Sequence, residues 1–418
     1  VGRAALGPMR PLLVLSQRPE LTGSGITLDA LAREAVAAGH EPWVLCGVPA
    51  GEAVPRVGGL PADRVLTVTF GDGGDLPFPV PGMSDVMPYP STVWSAMTTD
   101  QLARYREVWR ARLADAVSRC RPDVVHCNHL WLVSSLAAEV VGDVPAVAHC
   151  HATGLRQLAR CPHLGGEILA GLRRHRRFLV PHADLGRLVA ATLGVSADRI
   201  VEVGAGYRED LFHCRGAPPA LARAGQVLYA GKFAAAKGVP WLLDACEAAW
   251  RHDRAFALHV AGDGAGIEAE ALRARFAALA PRVVQHGRLD QASLGELMRR
   301  SSVLVLPSLY EGLPLVLVEG RACGCRLVST ALPGVVSGLA PTVGNALHLV
   351  SPPRLVSSDT PVAADLTAFT VRLGSAIDAA LAAGPVAPAP GELASFTWTA
   401  VFRRVETVWS AVTGSTSK

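Results

Sequence analysis

Short apolar runs, each followed by an amphipathic stretch of helix length, recur along almost the whole of this 418-residue chain. A strand with one wet face alternates apolar and polar residues. A run that is apolar throughout must be covered on both faces, which calls for a parallel sheet between two layers of helices. Pro11–Ser16 reads as such a strand and Thr27–Ala38 as the helix after it, with further strands at Glu41–Cys46, Arg64–Thr69, Val124–His126 and Val144–His149. The rhythm returns at Gln226–Ala230, Ala257–Ala261, Val283–His286 and Val303–Pro307. Between the two sets, near 205–222, lie Gly216, Pro218 and Pro219. One core stops growing at about 250–300 residues. The expectation is therefore α/β with two Rossmann-like domains, 1–205 and 206–395, and a closing segment 396–418. Within that segment Thr397–Thr413 reads as an amphipathic helix carrying Trp398 and Trp409.

Composition removes several function classes. Half the residues are hydrophobic and 18% charged, yet no stretch of about 18 uncharged apolar residues occurs, so no integral membrane segment is expected. Val1–Arg10 has no apolar signal-like core. Nine cysteines without framework spacing suggest reduced thiols and a cytoplasmic setting. Net charge is +4, and the basic cluster Arg173-Arg174-His175-Arg176-Arg177 lacks interleaved aromatics. No nucleic-acid partner is expected, and the cluster reads as a solvated helix face or loop. Two segments break the rhythm, Asp72–Thr99 and Ser351–Ala364. The first, rich in Gly, Pro and Met, reads either as a binding loop over a cleft or as a surface excursion.

The sharpest motif is Ser308-Leu309-Tyr310-Glu311-Gly312-Leu313-Pro314-Leu315-Val316-Leu317-Val318-Glu319. A strand ends, a loop presents Glu311, and Pro314 marks a helix start. Unpaired amides near Gly312 and Leu313 would there suit a pyrophosphate. Glu319 falls in a helix so apolar that its charge needs a partner, and a ribose diol is one; Glu311 could serve donor-sugar hydroxyls. The alternative is that both are ordinary helix-start acids.

After the strand Gln226–Ala230 comes Gly231-Lys232-Phe233-Ala234-Ala235-Ala236-Lys237-Gly238. Two lysines at a strand's carboxyl end can neutralise a diphosphate leaving group without a metal, although lysines are ordinarily surface residues. Gly262-Asp263-Gly264 is a further strand-end glycine loop, and Thr22-Gly23-Ser24-Gly25 follows the first strand without the full dinucleotide fingerprint. His126, His129, His149, His151 and His163, with Cys127, Cys150 and Cys161, match no common zinc spacing. No metal or other cofactor is expected. His151, just past a strand end, reads as a cleft residue, with the other histidines structural.

Together these pieces resemble a GT-B glycosyltransferase of family 4, the retaining nucleotide-sugar family. The matching stretches are Gly23-Ser24-Gly25, Pro122–His126, His151-Ala152-Thr153, Gly231–Gly238, Gly262-Asp263-Gly264, Gly287-Arg288-Leu289 and Leu306–Gly324. The resemblance implies two Rossmann-like domains facing across a cleft, with the last helix crossing back to the N-terminal, acceptor-binding domain. It implies that Lys232, standing where many members have arginine, and Lys237 grip the diphosphate. Glu319 would bind the ribose, Glu311 the donor sugar, and His151 would line the reaction centre, so that His151, Lys237 and Glu311 are the catalytic candidates. Main chain near Gly287, Arg288 and Leu289 would hold the base. Gly23, Ser24, Gly25, Gly262, Gly312, Leu313, Pro314 and Leu315 complete the donor contacts, while His126, His129, Met83 and Tyr89 are acceptor-side candidates. Ala152 replaces a glycine that often follows the histidine, and the usual Gly-rich stretch is missing from Asn345–Leu366.

The expected function is retaining transfer from an NDP-sugar, UDP- or GDP-linked, to a small soluble acceptor in natural-product biosynthesis: an antibiotic core, an aminocyclitol or a thiol. The protein would be a monomer or a homodimer. The alternatives are a cell-envelope or polysaccharide glycosyltransferase, or an NDP-sugar 2-epimerase of the same fold. A dehydrogenase is disfavoured by the incomplete fingerprint, and a non-catalytic sensor by the intact lysines and glutamates.

Overall fold

The computed structural model describes residues 7–414, apart from 20, 21, 85, 86, 88, 358 and 359. The chain divides into two compact units, 1–205 with 398–418, and 206–397.

The first unit is built on a seven-stranded parallel sheet. Its strands are β1 (Pro11–Leu15), β2 (Trp43–Pro49), β3 (Val65–Phe70), β4 (Val124–Asn128), β5 (Ala146–His149), β6 (Arg177–Val180) and β7 (Ile200–Glu202), ordered β3-β2-β1-β4-β5-β6-β7. β1 and β4 are buried along their whole length, as an apolar run covered on both faces must be. The order reverses between β1 and β4, and in such sheets ligands bind beyond the carboxyl ends at that point.

The second unit carries β8 (Gln226–Ala230), β9 (Ala257–Ala261), β10 (Val283–Gly287), β11 (Val303–Leu306), β12 (Arg326–Thr330) and β13 (Leu347–Val350). The order is β10-β9-β8-β11-β12-β13, all parallel, with its own reversal between β8 and β11. Both sheets are the Rossmann-like α/β architecture the apolar runs predict.

The last helix, Trp398–Thr413, belongs to the first unit, where it packs on the helix Gly23–Ala37 and on β4 and β6. Trp398, Val401, Phe402, Val405, Val408 and Trp409 form its buried stripe. His40 Nε2 and Glu406 Oε1 lie 3.1 Å apart, and Arg404 Nε donates to the Val203 carbonyl at 2.8 Å, pinning the helix at two further points.

The structure sharpens three expectations. The 72–99 segment is no loose excursion: Leu76, Phe78, Val80, Met83, Trp94 and Met97 are all buried. Trp94 stands edge-on to Tyr105 and Trp131, with ring centroids 5.1 and 5.5 Å away, so aromatic packing supplies the order that periodicity lacks. The Arg173–Arg177 cluster takes the second of its two expected forms, a loop and not a helix face, with Arg173, Arg174 and Arg176 exposed. The helix stops at Leu172, His175 is buried, Arg173 donates to the Leu193 carbonyl at 2.6 Å and Arg177 opens β6. Finally, 363–383 is long and apolar enough, by length and composition, to cross a membrane. In the fold its Phe369, Leu373, Ile377 and Ala380 stripe covers β11–β13 and the helix Val239–Arg251, while Arg372, Ser375 and Asp378 interrupt the other face. All nine cysteines are free thiols.

Candidate functional site

In the second unit the candidates collect at the carboxyl ends of β8, β9, β10 and β11. Backbone bonds tie the strand-end loops together: Gly231 N to Ala261 O at 3.0 Å, Gly262 N to Gly287 O at 2.8 Å, and Leu309 N to Ala236 O at 2.9 Å. Two glycines permit this convergence. Gly262 has φ +136°, and a Cβ there would sit 1.9 Å from the Gly231 carbonyl oxygen; Gly238, at φ +74°, would place one 2.1 Å from Pro307 O. Any side chain would push the loops apart.

Lys237 and Glu311 meet at the centre of this cluster, with Nζ and Oε1 2.7 Å apart and both side chains still partly open to solvent. The Tyr229 hydroxyl donates to the Lys232 carbonyl at 2.5 Å and fixes the backbone from which that lysine springs. Pro314 is the cap residue of the helix Leu315–Ala322, and no side chain caps it. The Leu317 amide donates to the Pro314 carbonyl at 3.1 Å, while among the described residues the Leu315 and Val316 amides donate to no backbone carbonyl. Among the described residues the Gly312 and Leu313 amides likewise donate to no backbone carbonyl. Arg288 is exposed and Leu289 half-buried beside the β10 end.

Glu319, on the second turn of that helix, is 9% exposed. Among the described residues no hydrogen bond or ion pair reaches its carboxylate, and burial pushes its pKa up to about 7. A carboxylate withdrawn from water without a partner costs stability. It is suited to accept hydrogen bonds from a ligand diol that restores the lost hydration.

The first unit gathers a second cluster at the ends of β1, β4 and β5. Parallel pairing sets Asn128 opposite His149 and His126 opposite Val147, which brings four histidines together. The His149 and His151 rings stack with centroids 4.8 Å apart and planes 17° from parallel, and the His129 ring lies 4.9 Å from that of His151. His151 Nε2 is 3.0 Å from Asn128 Oδ1, and His129 Nε2 is 3.0 Å from Gln17 Oε1. Gln17 also receives the Ser24 hydroxyl at 3.4 Å and donates to Tyr89 Oη at 3.5 Å. No carboxylate takes part in these bonds. Burial holds His129 down to about 3 and His149 to about 4; burial and then the neighbouring rings hold His126 and His151 well below the usual value. Of the four rings, that of His151 alone is half-exposed.

The backbone here is strained. His129 has φ +72° and Ala152 φ +63°. Ala152, with ψ −36°, lies at the centre of a γ-turn closed by Thr153 N to His151 O at 2.8 Å. This is the rare, left-handed form of that turn. Such outliers persist where the surroundings over-determine them, commonly at functional sites.

The second-unit fold carries a match to the family of glycosyl transferases group 1 over residues 224–355, and residues 21–220 match glycosyltransferase family 4. The chain belongs to the group 1, family 4 glycosyltransferases. Glycogen synthase of Mycobacterium tuberculosis is 30% identical to it over 229 residues, 51% of this chain and 53% of that protein. D-inositol 3-phosphate glycosyltransferase 1 of Catenulispora acidiphila is 27% identical over 253 residues, 54% of this chain and 60% of that protein. The matched stretch thus spans about half the length of these curated relatives. In structure the glycosyltransferase resembles an alpha,alpha-trehalose-phosphate synthase (UDP-forming) from Burkholderia vietnamiensis. The TM-score is 0.66 at 15% identity, covering 98% of this chain and 100% of that one. The fold is of the GT-B type.

Several assignments made on this glycosyltransferase's sequence change place. His126 is fully buried and bonded to its neighbours, so it lies in the interior and not on a substrate surface. Met83 is also buried, drawn in with the apolar residues around it. Tyr89 and His129 do join the Gln17 network. Gly23, Ser24 and Gly25 are not an open loop, because the helix already begins at Gly23. Thr22 Oγ1 accepts the Gly25 amide at 3.1 Å, leaving that amide no bond for a phosphate. His163 is exposed and stands outside the cluster. Among the described residues no group of three or more His, Cys, Asp and Glu side chains is arranged to hold a metal. The supporting residues Gln17, Asn128 and Trp409 carry no motif of their own in the sequence; the alternation that sets Asn128 beside His126 on β4 is the one signal that points to them.

Proposed function

We propose that this glycosyltransferase moves a sugar, with retention of configuration, from a UDP-linked donor to a small polyhydroxy acceptor. The observation that carries the reading is Glu319: a buried, unpartnered carboxylate behind an uncapped helix start, with the Lys237–Glu311 pair beside the same strand ends. Those features fit, in order, the ribose, the diphosphate and the transferred sugar of one nucleotide-sugar. As the glycosidic bond breaks, negative charge grows on the diphosphate oxygen, and Lys237 and Lys232 stabilise it. The acceptor hydroxyl attacks the face the leaving group departs from, and its proton passes to the departing phosphate oxygen. Glu311 orients sugar hydroxyls, and His151 serves the substrate side of the first unit.

UDP is favoured because the Burkholderia enzyme named above is UDP-forming. A cyclitol acceptor is favoured by the likeness to an inositol phosphate glycosyltransferase. The likeness to a glycogen synthase sets the glucan class against it. Free buried thiols support a reducing, cytoplasmic setting. The test is calorimetry with UDP, GDP, ADP and dTDP, then UDP release from UDP-sugars with inositol phosphate or glycogen as acceptor. Binding of UDP that is lost in Glu319→Ala, and release stimulated by inositol phosphate, are the expected results. No nucleotide binding would overturn the reading.

A further inference from the structure

The bonds around His151 fix more than its position. The Asn128 side chain spends its Nδ2–H on the Val14 carbonyl at 3.2 Å, so the oxygen Oδ1 is the atom that faces His151 Nε2. An amide oxygen can only accept, and the ring nitrogen opposite it must carry the proton. A neutral His151 then bears a bare lone pair on Nδ1. That atom makes no hydrogen bond among the described residues.

The ring on which His151 stacks is set by the same logic from the other side. Indole Nε1–H is donor only. Trp409 donates it to His126 Nδ1 at 3.1 Å, so His126 carries its proton on Nε2. That proton faces His149 Nδ1 at 3.3 Å, which makes His149 an acceptor there and places its proton on Nε2 as well. The Trp409 and His126 rings are edge to face at 89°, and the His149 ring lies 17° from parallel to that of His151. A chain of fixed donors thus runs from the last helix through the core to the face beneath His151. The strained turn at Ala152 holds His151 from the backbone side.

We propose that Asn128 is a positioning residue that holds His151 as its Nε2–H tautomer, presenting Nδ1 as a hydrogen-bond acceptor to a sugar hydroxyl, while Trp409 and His126 fix the tautomer and orientation of the His149 ring on which His151 stacks. The role in substrate binding rests on the reading of His151 given above; the tautomer lock does not. Asn128 acts directly on the ring, whereas Trp409 acts through two intermediates. The effect of Asn128 is therefore the larger.

The test uses full-length protein labelled with 15N-histidine, at pH 8 and without ligand, with His151 assigned by its loss in His151→Gln. In the wild type, Nδ1 of His126, His149 and His151 should resonate as unprotonated, pyridine-like nitrogens and each Nε2 as a protonated one. Asn128→Leu should abolish the single-tautomer signature of His151, and Asn128→Asp, which keeps an acceptor, should retain it. Trp409→Phe keeps the aromatic bulk and should shift His126 and His149 first. A protonated Nδ1 on wild-type His151, or a signature unmoved by Asn128→Leu, overturns the proposal. UDP release from UDP-glucose reads the other half: Asn128→Leu should lower kcat about tenfold with KM within about twofold. Unchanged release in His151→Gln would overturn the substrate role of His151 and leave the tautomer result standing.

Discussion

The proposed ribose contact of Glu319 should make nucleotide binding a function of pH. Its carboxyl is raised from an ordinary value of 4.5 to about 7 because it is buried with nothing to compensate its charge. A ribose diol donates hydrogen bonds, and the ionised form is the one that accepts them. From the fractional ionisation at a pKa of about 7, the competent form rises from roughly one-tenth at pH 6 to roughly nine-tenths at pH 8. UDP affinity should therefore rise about tenfold over that interval. The same linkage bears on folding. The folded carboxyl holds its proton to higher pH than the unfolded one, so stability is full below pH 4.5 and falls as pH rises through 7. The total loss is about 3 kcal/mol, taking about 1.4 kcal/mol for each tenfold change in the ionisation constant. Glu319→Gln should remove that slope, making the variant the more stable protein at pH 8 while weakening UDP binding. The assay is calorimetry of UDP in buffers of different ionisation enthalpy at pH 6, 7 and 8, run on wild type and Glu319→Gln together. Titration of the nucleotide's own phosphate then cancels in the comparison. A ratio of the two dissociation constants that stays flat from pH 6 to 8, with no extra proton exchanged by the wild type, would refute the reasoning.

Lys237→Ala should lower kcat by about a hundredfold, the scale of one lost charge-stabilising group. Lys237→Arg should recover part of that loss; steady-state UDP release measures both. Gly262→Ala should drive its new methyl into the Gly231 carbonyl, destabilise the second unit by about 2 kcal/mol and weaken UDP binding, read by thermal unfolding with and without UDP. Ala152→Gly relieves a turn that costs about 1–3 kcal/mol, against about 0.4–1 kcal/mol of added unfolded-chain entropy. Its Tm should rise by about 2–4 °C in calorimetry, while the looser His151 transfers more slowly.

What is legible in the sequence follows from burial. Strands such as Gln226–Ala230 and Ala257–Ala261 can be read to the residue, because an apolar run between turn signals has few other uses. β6, β7, β12 and β13 escape the same reading for converse reasons. Arg177 and Arg326 open their strands with charge, β13 carries His348, and β7 is a three-residue edge strand with no buried residue. Glu319 stands out as an acid in an apolar helix, a conflict that local pattern alone reveals. The histidine array is a different kind of object. His126 and His149 are 23 residues apart, and Trp409 is 283 from His126; they meet through the β4–β5 register and the return of the last helix. Register is a property of pairing, and one residue of slip would have sent each side chain to the opposite face. The sequence can therefore name the histidine at a strand end, but not the amide and the indole that decide which of its nitrogens is bare. The second unit presents its candidate groups from strand-end loops and one helix whose composition advertises them. The first unit builds its candidate from ordinary core residues, and its chemistry becomes visible only when the donors and acceptors are followed from atom to atom.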